Sequence, residues 1–209
     1  MGNNHCQLYK MDDGNPFIGA VKDDDVLIFP DGSMYKGNIA KNKPDGKGVL
    51  TKKDGSVHDG EFKDGFADGY AIVKYPNGDQ YKGYFIKGKR SGDGQYISKD
   101  FTYSGNWDKG EMNGYGKMTF ADGREYIGDF ANSKFEGEGK YAFKNGVNFL
   151  GNFADGQRHG KGTITFKDGN TYHGQWNHGK EVNAGVYNSK IGDSVVGVWK
   201  DGEFNPKYS

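Results

Sequence analysis

The 209-residue chain is rich in glycine and carries no net charge. Hydrophobic residues make up 33% of it and glycine occupies 36 positions, which is too little apolar material for a thick globular core, although aromatic residues reach 15%. Because 28 basic and 28 acidic residues cancel, the chain has no overall field that would attract a polyanion, and we expect no nucleic acid partner.

Residues 1–16 are predicted to be an N-terminal tail. The first six residues, MGNNHC, resemble an N-myristoylation signal with Gly2 as the acceptor, although Cys6 stands where Ser or Thr is usual. Cys6 would then be a palmitoylation candidate, and two acyl chains attach a protein more durably than one. The alternative is an ordinary disordered start with an incidental glycine. With this single cysteine, no secretory signal and no apolar run of about 20 residues, we expect a reducing cytoplasm.

Residues 17–204 are predicted to be an array of one short unit with a period of 23 residues. A ring, usually tyrosine, opens each unit, a glycine follows at position 3 and a second ring at position 5. Seven units are nearly complete, and their first residues are Tyr35, His58, Tyr81, Tyr103, Tyr126, Phe149 and Tyr172. Incomplete units at Phe17-x-Gly19 and Gly197-x-Trp199 flank them, as terminal repeats of stacked arrays often do.

Each unit predicts two strands. Positions 1, 3 and 5 share one side of a first strand, because side chains alternate along a strand. Glycine at position 8 and a glycine pair at positions 12 and 14 predict a bend. Apolar residues at positions 16 and 18, such as Met118 and Phe120, predict a second strand. The unit closes with Asp-Gly or Asn-Gly, as at Asp122-Gly123, which predicts a two-residue hairpin turn.

The predicted fold is therefore all-β: an elongated, single-layer, twisted antiparallel sheet of stacked β-hairpins. One face should carry the rings and the other face polar residues such as Lys117 and Thr119. Glycines at positions 3 and 14 lack a Cβ, which lets neighbouring rings lie across the backbone.

The pattern Tyr-x-Gly-x-Trp/Phe-x-x-Gly-Lys-x-x-Gly-x-Gly, closed by Asp-Gly, resembles the MORN (membrane occupation and recognition nexus) repeat. The resemblance runs from near Phe17 to near Gly202 and is clearest from Tyr103 to Gly123 and from Phe149 to Gly169. Individual units depart from it. His58 replaces tyrosine, Ile39 stands at a ring position, Phe101 stands where a turn glycine belongs, and Ala71 and Asn183 replace glycines.

An uncovered aromatic face predicts a binding groove, because monomers rarely leave so long an apolar strip in water. The occupant would be an amphipathic helix or an extended peptide of a protein partner. The alternative is that the rings are simply the core. The predicted groove residues are Tyr81, Phe85, Tyr103, Trp107, Tyr126, Phe130, Phe149, Phe153, Tyr172 and Trp176.

Two groups of basic residues predict a weaker, phospholipid head-group site. They are Lys41, Lys43 and Lys47 in the second hairpin, with Lys52 and Lys53 beyond them, and Lys87, Lys89 and Arg90 in the fourth. Acidic residues such as Asp45 and Asp54 lie among them, which favours a merely solvated edge instead.

No catalytic constellation is evident, and we expect a protein that is not an enzyme and needs no cofactor. His159, His173 and His178 are close in sequence, but they fall at different repeat positions and no cysteine joins them, so no metal site is predicted. The Gly-x-Gly pairs lack the further residues of a nucleotide-binding loop. The acidic run 23–25 is expected to be a charged edge.

Residues 205–209 are predicted to be a C-terminal tail, and the terminal strands of the array offer unpaired edges through which a homodimer could form. Three functions then compete. The first is a non-enzymatic scaffold that binds a protein partner, as the resemblance to MORN proteins of cytoskeletal and membrane-junction assemblies implies. The second is a phospholipid-binding or acyl-anchored module at a membrane, and the third is the regulatory portion of a larger enzyme. The expected location is the cytoplasm, at the cytoskeleton or peripheral to a membrane.

Overall fold

The computed structural model describes residues 20–21, 26–200 and 203–207. The lipidation candidates Gly2 and Cys6, the unit at Phe17 and the acidic run 23–25 lie outside these residues. The described chain forms two compact units: one extends to Lys99 and includes Trp107–Gly110, and the other comprises Asp100–Asn106 and the residues from Glu111 onwards. No helix occurs in the described part of either unit, so none could cross a membrane there.

Eighteen strands make up these units. The first unit contains β1 (Ala20–Val21), β2 (Val26–Ile28), β3 (Met34–Ala40), β4 (Lys43–Thr51), β5 (Val57–Lys63), β6 (Phe66–Lys74), β7 (Gln80–Ile86) and β8 (Lys89–Ile97). Strand β9 (Phe101–Asp108) contributes residues to both units. The second unit continues with β10 (Glu111–Phe120), β11 (Glu125–Ala131), β12 (Lys134–Ala142), β13 (Asn148–Ala154), β14 (Gln157–Thr165), β15 (Thr171–Asn177), β16 (Lys180–Asn188), β17 (Ser194–Lys200) and β18 (Glu203–Pro206).

Within each unit, neighbours in sequence are neighbours in the sheet. Strands β1 to β8 pair antiparallel in chain order, and so do β10 to β18. The predicted all-β fold of consecutive hairpins is confirmed. Strand β18 ends at Pro206, so it crosses the array boundary predicted at residue 204.

The two-residue turn of each repeat lies at the end of the hairpin opposite to the one predicted. At Asp122-Gly123 only the glycine has a positive φ, and the Gly123 amide donates to the Phe120 carbonyl over 3.0 Å while the Phe120 amide donates to Arg124 over 2.9 Å. This is a three-residue loop, so the predicted two-residue turn is wrong here. The two-residue turn lies instead at positions 7 and 8, as at Asp64 and Gly65, where both φ angles are positive. The second strand therefore begins earlier than predicted and includes the glycine pair.

Cross-strand glycine pairs hold the ring at position 1 of a repeat. Gly128 faces Gly139 in the register of β11 and β12. The Tyr126 ring lies across this pair so closely that a Cβ added to Gly139 would be 2.5 Å from ring atom Cε2. The Tyr126 hydroxyl donates to the carbonyl of Asp129 over 2.8 Å, where the register shifts. Tyr126 is 0% exposed. We call this arrangement of ring, glycine pair and backbone hydrogen bond the clamp.

The clamp recurs in other repeats. The hydroxyl groups of Tyr35, Tyr81 and Tyr103 each donate to the carbonyl three residues ahead, over 3.0, 3.2 and 2.8 Å. Burial raises the pKa of Tyr35 to about 12, because the ionised phenolate would be poorly solvated there. Phe149 has no hydroxyl, yet its ring lies over Gly151 and Gly162 in the same way.

Rings at position 5 lock each repeat to the one before it. In the second unit the ring at position 1 meets the position 5 ring of the next repeat edge-on, with centroids 4.9 to 5.0 Å apart. The pairs are Tyr103–Phe130, Tyr126–Phe153 and Phe149–Trp176. Aromatic pairs prefer this geometry. The apolar core of this unit is therefore mainly a ladder of interlocked rings.

His58 and Ala71 both depart from the regular clamp, and the smaller ring of His58 compensates for the added Cβ of Ala71. Ala71 occupies the second glycine position and pairs with Gly60, and both His58 and Ala71 are buried, at 8% and 0% exposure. A tyrosine ring placed as in the other clamps would collide with the Ala71 Cβ, whereas the shorter imidazole leaves room for it. Burial lowers the pKa of His58 to about 4, with Lys52 contributing further.

A double-mutant cycle tests this compensation. His58→Tyr alone should destabilise the protein by about 1 to 3 kcal/mol through overpacking, and Ala71→Gly alone should destabilise it by leaving a cavity and loosening the strand. The double variant should recover most of both losses, because it rebuilds the regular clamp. Denaturant midpoints of the four proteins measure the coupling. Strictly additive effects would show that the two positions are independent.

The same variants test the protonation state of His58. Since its folded-state pKa is near 4, below the ordinary value of 6.5, the unfolded chain binds the proton first as pH falls. The contribution of neutral His58 to the free energy of unfolding is fully present above pH 6.5. It falls by on the order of 2 kcal/mol as the pH is lowered towards 4. His58→Tyr/Ala71→Gly should lack this part of the acid dependence. If the free energy of unfolding depended on pH in the same way in the wild type and the double variant between pH 7 and 4.5, a neutral buried His58 would be contradicted.

Candidate functional site

The ten predicted groove residues all lie in the interior. Each of these side chains is buried, and none is more than 5% exposed. The prediction that they face an open groove is corrected by their packing, because each ring is covered by the glycine pair of its own hairpin or by a ring of a neighbouring repeat. Their burial favours the alternative that they form the core. Direct contact between these ten rings and a partner stays a prediction.

A second set of rings reaches the surface of the second unit. Phe120 and Phe143 occupy position 18 of their repeats, Tyr141 occupies position 16 and Phe135 occupies position 10, and all four are half-buried. Their centroids are 4.7 Å apart for Tyr141 and Phe143 and 6.4 Å apart for Phe120 and Tyr141. With Arg124 and Arg158 they line a cavity of about 360 Å³, which we call the ring pocket.

The sequence predicted the pocket rings only as strand residues. Positions 16 and 18 have the same alternation as the clamp rings, so periodicity places them on the same face without distinguishing covered from uncovered rings. Phe135 was not predicted at all. Its ring stacks 3.9 Å from the Tyr126 ring at an interplanar angle of 16°, which joins the pocket to the clamp beneath it.

Arg124 is electrostatically satisfied. Its Nε donates to both carboxylate oxygens of Asp122, over 2.7 and 3.0 Å, and its Nη1 donates to the Tyr141 hydroxyl over 3.0 Å. The Arg124 guanidinium carbon is 4.6 Å from the Phe120 ring centroid. The hydrogen bond to Asp122 raises the pKa of Arg124. Its charge is therefore largely neutralised by Asp122.

Arg158 is placed differently. Its guanidinium carbon lies 5.6 Å from the Phe149 ring centroid and 5.8 Å from that of Trp176, within cation–π range. Its Nη2 donates to the Gly179 carbonyl over 3.0 Å. Burial lowers the pKa of Arg158, and nearby Glu181 opposes that shift. The positive charge of Arg158 therefore lies among aromatic rings, where it is partly shielded from water.

Arg90 occupies the equivalent position in the first unit and is not a free surface cation. Its guanidinium carbon lies 4.1 Å from the Trp107 ring centroid, and its Nη2 donates to the Gly110 carbonyl over 2.9 Å. These contacts show that the cation takes part in packing, and head-group binding by Arg90 stays a prediction.

The predicted lysines lie in or near two-residue turns. Lys41 and Lys87 have positive φ angles of 49° and 46°, and the side chains of Lys41, Lys47, Lys87 and Lys89 are exposed. Lys43 is half-buried. None of these five forms an ion pair with a described residue. Head-group binding by them stays a prediction.

The three clustered histidines separate into a pair and a single residue. The rings of His159 and His178 are 5.5 Å apart, whereas His173 makes hydrogen bonds with Thr163 at 2.8 Å and Thr171 at 3.3 Å. Among the described residues, no three histidine, cysteine or carboxylate side chains are grouped to hold a metal ion.

The face predicted to be polar is mixed. Lys117 and Thr119 are exposed on it as expected. In the first unit, however, Tyr70 and Tyr84 are 44% and 52% exposed, with ring centroids 5.5 Å apart. In the second unit, Leu150 is 63% exposed. These residues occupy strand positions that alternate with the clamp rings, so they point to the opposite face.

Among curated proteins, the chain resembles alsin. It is 29% identical to alsin of Rattus norvegicus and 28% identical to alsin of Homo sapiens, in each case over 94 residues. These alignments cover 45% of this chain and only 5% of alsin. The chain therefore spans a small fraction of the relatives that it matches.

Two solved structures align with most of the chain at low identity. The TCP domain of Drosophila melanogaster SAS-4, in complex with a proline-rich motif of Ana2, is 14% identical with a TM-score of 0.47, covering 83% of this chain and 88% of that domain. The TCP10 domain of Danio rerio CPAP, in complex with a STIL peptide, is 12% identical with a TM-score of 0.43, covering 93% and 94%. These scores are too low to support an inference.

The repeat model gives the decisive comparison. The MORN repeat model matches seven successive segments: 35–57, 58–80, 81–102, 103–123, 126–147, 149–171 and 172–194. They start at the predicted first residues of the seven units and cover well over half of the chain. The chain belongs to the MORN repeat family.

Proposed function

We propose that this protein is a non-enzymatic MORN-repeat scaffold that binds a protein partner through the ring pocket of its second unit. The observation that carries the proposal is that Phe120, Phe135, Tyr141 and Phe143 remain partly exposed around a cavity of about 360 Å³ while the clamp rings are covered. Partly exposed aromatic residues on a rigid framework are the usual anchors of protein interfaces.

The spacing of the exposed rings supports an elongated partner. Phe120, Phe143 and Phe166 all occupy position 18 of successive repeats and are all half-buried. Since each repeat adds two strands about 4.8 Å apart, such rings recur about every 10 Å across the strands. Two turns of an α-helix advance about 11 Å, and three residues of extended chain advance about 10 Å. A helix or an extended peptide lying across the strands would therefore meet one ring per repeat.

The ten predicted groove residues have an indirect part in this proposal. Those in the second unit fill its interior and support the strands that present Phe120, Tyr141 and Phe143. A partner that contacts the pocket touches the floor of the cavity at Phe153, which is buried. Apart from Phe153, substitution of one of these buried rings should therefore disturb binding through the fold rather than through a lost contact.

Site-specific photo-crosslinking tests the proposal. Gln157 is exposed and lines the pocket, so Gln157→p-benzoylphenylalanine should form a covalent adduct with the partner in cells that express the protein. The same photo-reactive residue at Leu150, which is exposed on the opposite face of the same unit, is the matched control. Gel mobility and mass spectrometry detect the adduct.

Two substitutions then identify the contact. Phe120→Ala/Phe143→Ala in the Gln157 background should abolish the adduct while leaving the circular dichroism spectrum unchanged, because these rings are only half-buried. Equal adducts from positions 157 and 150, or an adduct that survives the double substitution, would contradict the ring pocket as the binding surface.

A further inference from the structure

Arg158 has an incomplete set of partners. Its guanidinium has five N–H donors, and a single hydrogen bond, from Nη2 to Gly179, is formed with the described residues. No described carboxylate forms an ion pair with it. The aromatic contacts with Phe149 and Trp176 compensate part of the lost hydration, but ring faces cannot accept hydrogen bonds as strongly as an anion does.

The acidic residues near Arg158 do not complete the set. Glu181 lies on the next hairpin and interacts with it electrostatically, yet burial raises the pKa of Glu181, so this carboxyl group is itself poorly solvated. Asp122 is engaged with Arg124 at the other side of the pocket. The ring pocket therefore contains a cation that forms no ion pair with a described carboxylate.

The matching residue in the other unit shows what is specific to Arg158. Arg90 stands at the same repeat position, stacks on a tryptophan and donates to the corresponding turn carbonyl. Stacking of an arginine is thus a packing device common to both units. The difference is the surroundings: Arg158 lines the ring pocket beside Phe135, Tyr141 and Phe143.

We propose that the ring pocket binds an acidic side chain, aspartate or glutamate, that lies next to a bulky apolar residue on the partner. The partner carboxylate accepts hydrogen bonds from the unused N–H groups of Arg158, and the apolar neighbour packs on Phe120, Tyr141 and Phe143. Charge complementarity supports this occupant, because a carboxylate matches the guanidinium fork. A cavity of about 360 Å³ is near the lower end of ligand sites and suits one or two side chains. This inference rests on the function proposed above.

Peptide display on the immobilised 209-residue chain tests the chemistry. Random peptides selected on the wild type should be enriched in aspartate or glutamate within a few residues of an aromatic or large aliphatic residue. Selection on Arg158→Gln should lose the acidic preference and keep the apolar one. Arg90→Gln, which removes the equivalent stacked arginine far from this pocket in sequence, is the matched control and should keep both preferences.

The affinity of an enriched peptide measures how much its acidic residue contributes to binding. Replacing its acidic residue by the amide should weaken binding to the wild type about tenfold or more, as expected for a hydrogen bond to a charged group. The same replacement should have no effect on binding to Arg158→Gln. Fluorescence polarisation measures these affinities, and the comparison on the wild type remains valid even if Arg158→Gln folds poorly.

The outcomes separate this inference from the proposed function. Enriched peptides that are apolar with no acidic preference, or an amide replacement without effect on the wild type, would overturn the inference and leave the scaffold proposal standing. Failure to enrich any peptide that depends on Phe120 and Phe143 would count against both. Acidic peptides that bind Arg158→Gln as tightly as the wild type would locate the anion site elsewhere.

Discussion

The close contact between a ring and a pair of facing glycines is the constraint on which the rest of this protein depends. At Tyr126 the ring occupies the space that a Cβ of Gly139 would need, and its hydroxyl satisfies a carbonyl at an irregular point of the ladder. A chain with so few aliphatic residues obtains its buried surface in this way. Because the ring also meets the next repeat edge-on, one side chain stabilises its own hairpin and its junction with the following one.

The clamp also determines where recognition can occur. Rings at positions 1 and 5 are used inside the sheet, and partly exposed rings of the same face are found at positions 10, 16 and 18. Position 10 differs in chemistry from repeat to repeat. In the first unit it holds Pro44, Ala67 and Arg90, and in the second it holds Met112, Phe135, Arg158 and Glu181. The repeats therefore keep the rings of the interior nearly constant and place different side chains beside them at position 10. Hairpins of similar structure can in this way present a surface that differs from repeat to repeat.

Much of the fold could be predicted from the sequence because its signal is periodic. The recurrence of Tyr-x-Gly-x-Trp every 23 residues predicted the hairpins, their order and the repeat family. The turns were harder, because Asp122-Gly123 suits two loop types, and hydrogen bonding of Gly123 to Phe120 decides between them. His58 and Ala71 looked like two unrelated defects, since their cross-strand proximity is not visible in a sequence.

The sequence could predict which face of the sheet carries the candidate site, but not which residues of that face form it. Alternation assigned the clamp rings and the pocket rings to the same side of the sheet, but which rings are covered depends on packing between hairpins. Tyr126 is enclosed whereas Tyr141, fifteen residues later, is half-buried. The tryptophan and carbonyl partners of Arg90 and Arg158 are likewise contributed by the following repeat, so a count of basic residues could not show that Arg90 is engaged with Trp107.

Hydroxyl-radical footprinting with mass spectrometry tests the central claim most directly, because it reports the solvent access of individual rings in the folded protein. The clamps and the ring contacts between repeats predict that Tyr103, Tyr126 and Trp176 are oxidised far more slowly than Phe143 and the exposed Tyr84. Rapid oxidation of these three buried rings in the intact protein, at rates like that of Tyr84, would show that they line an open groove and would contradict the account.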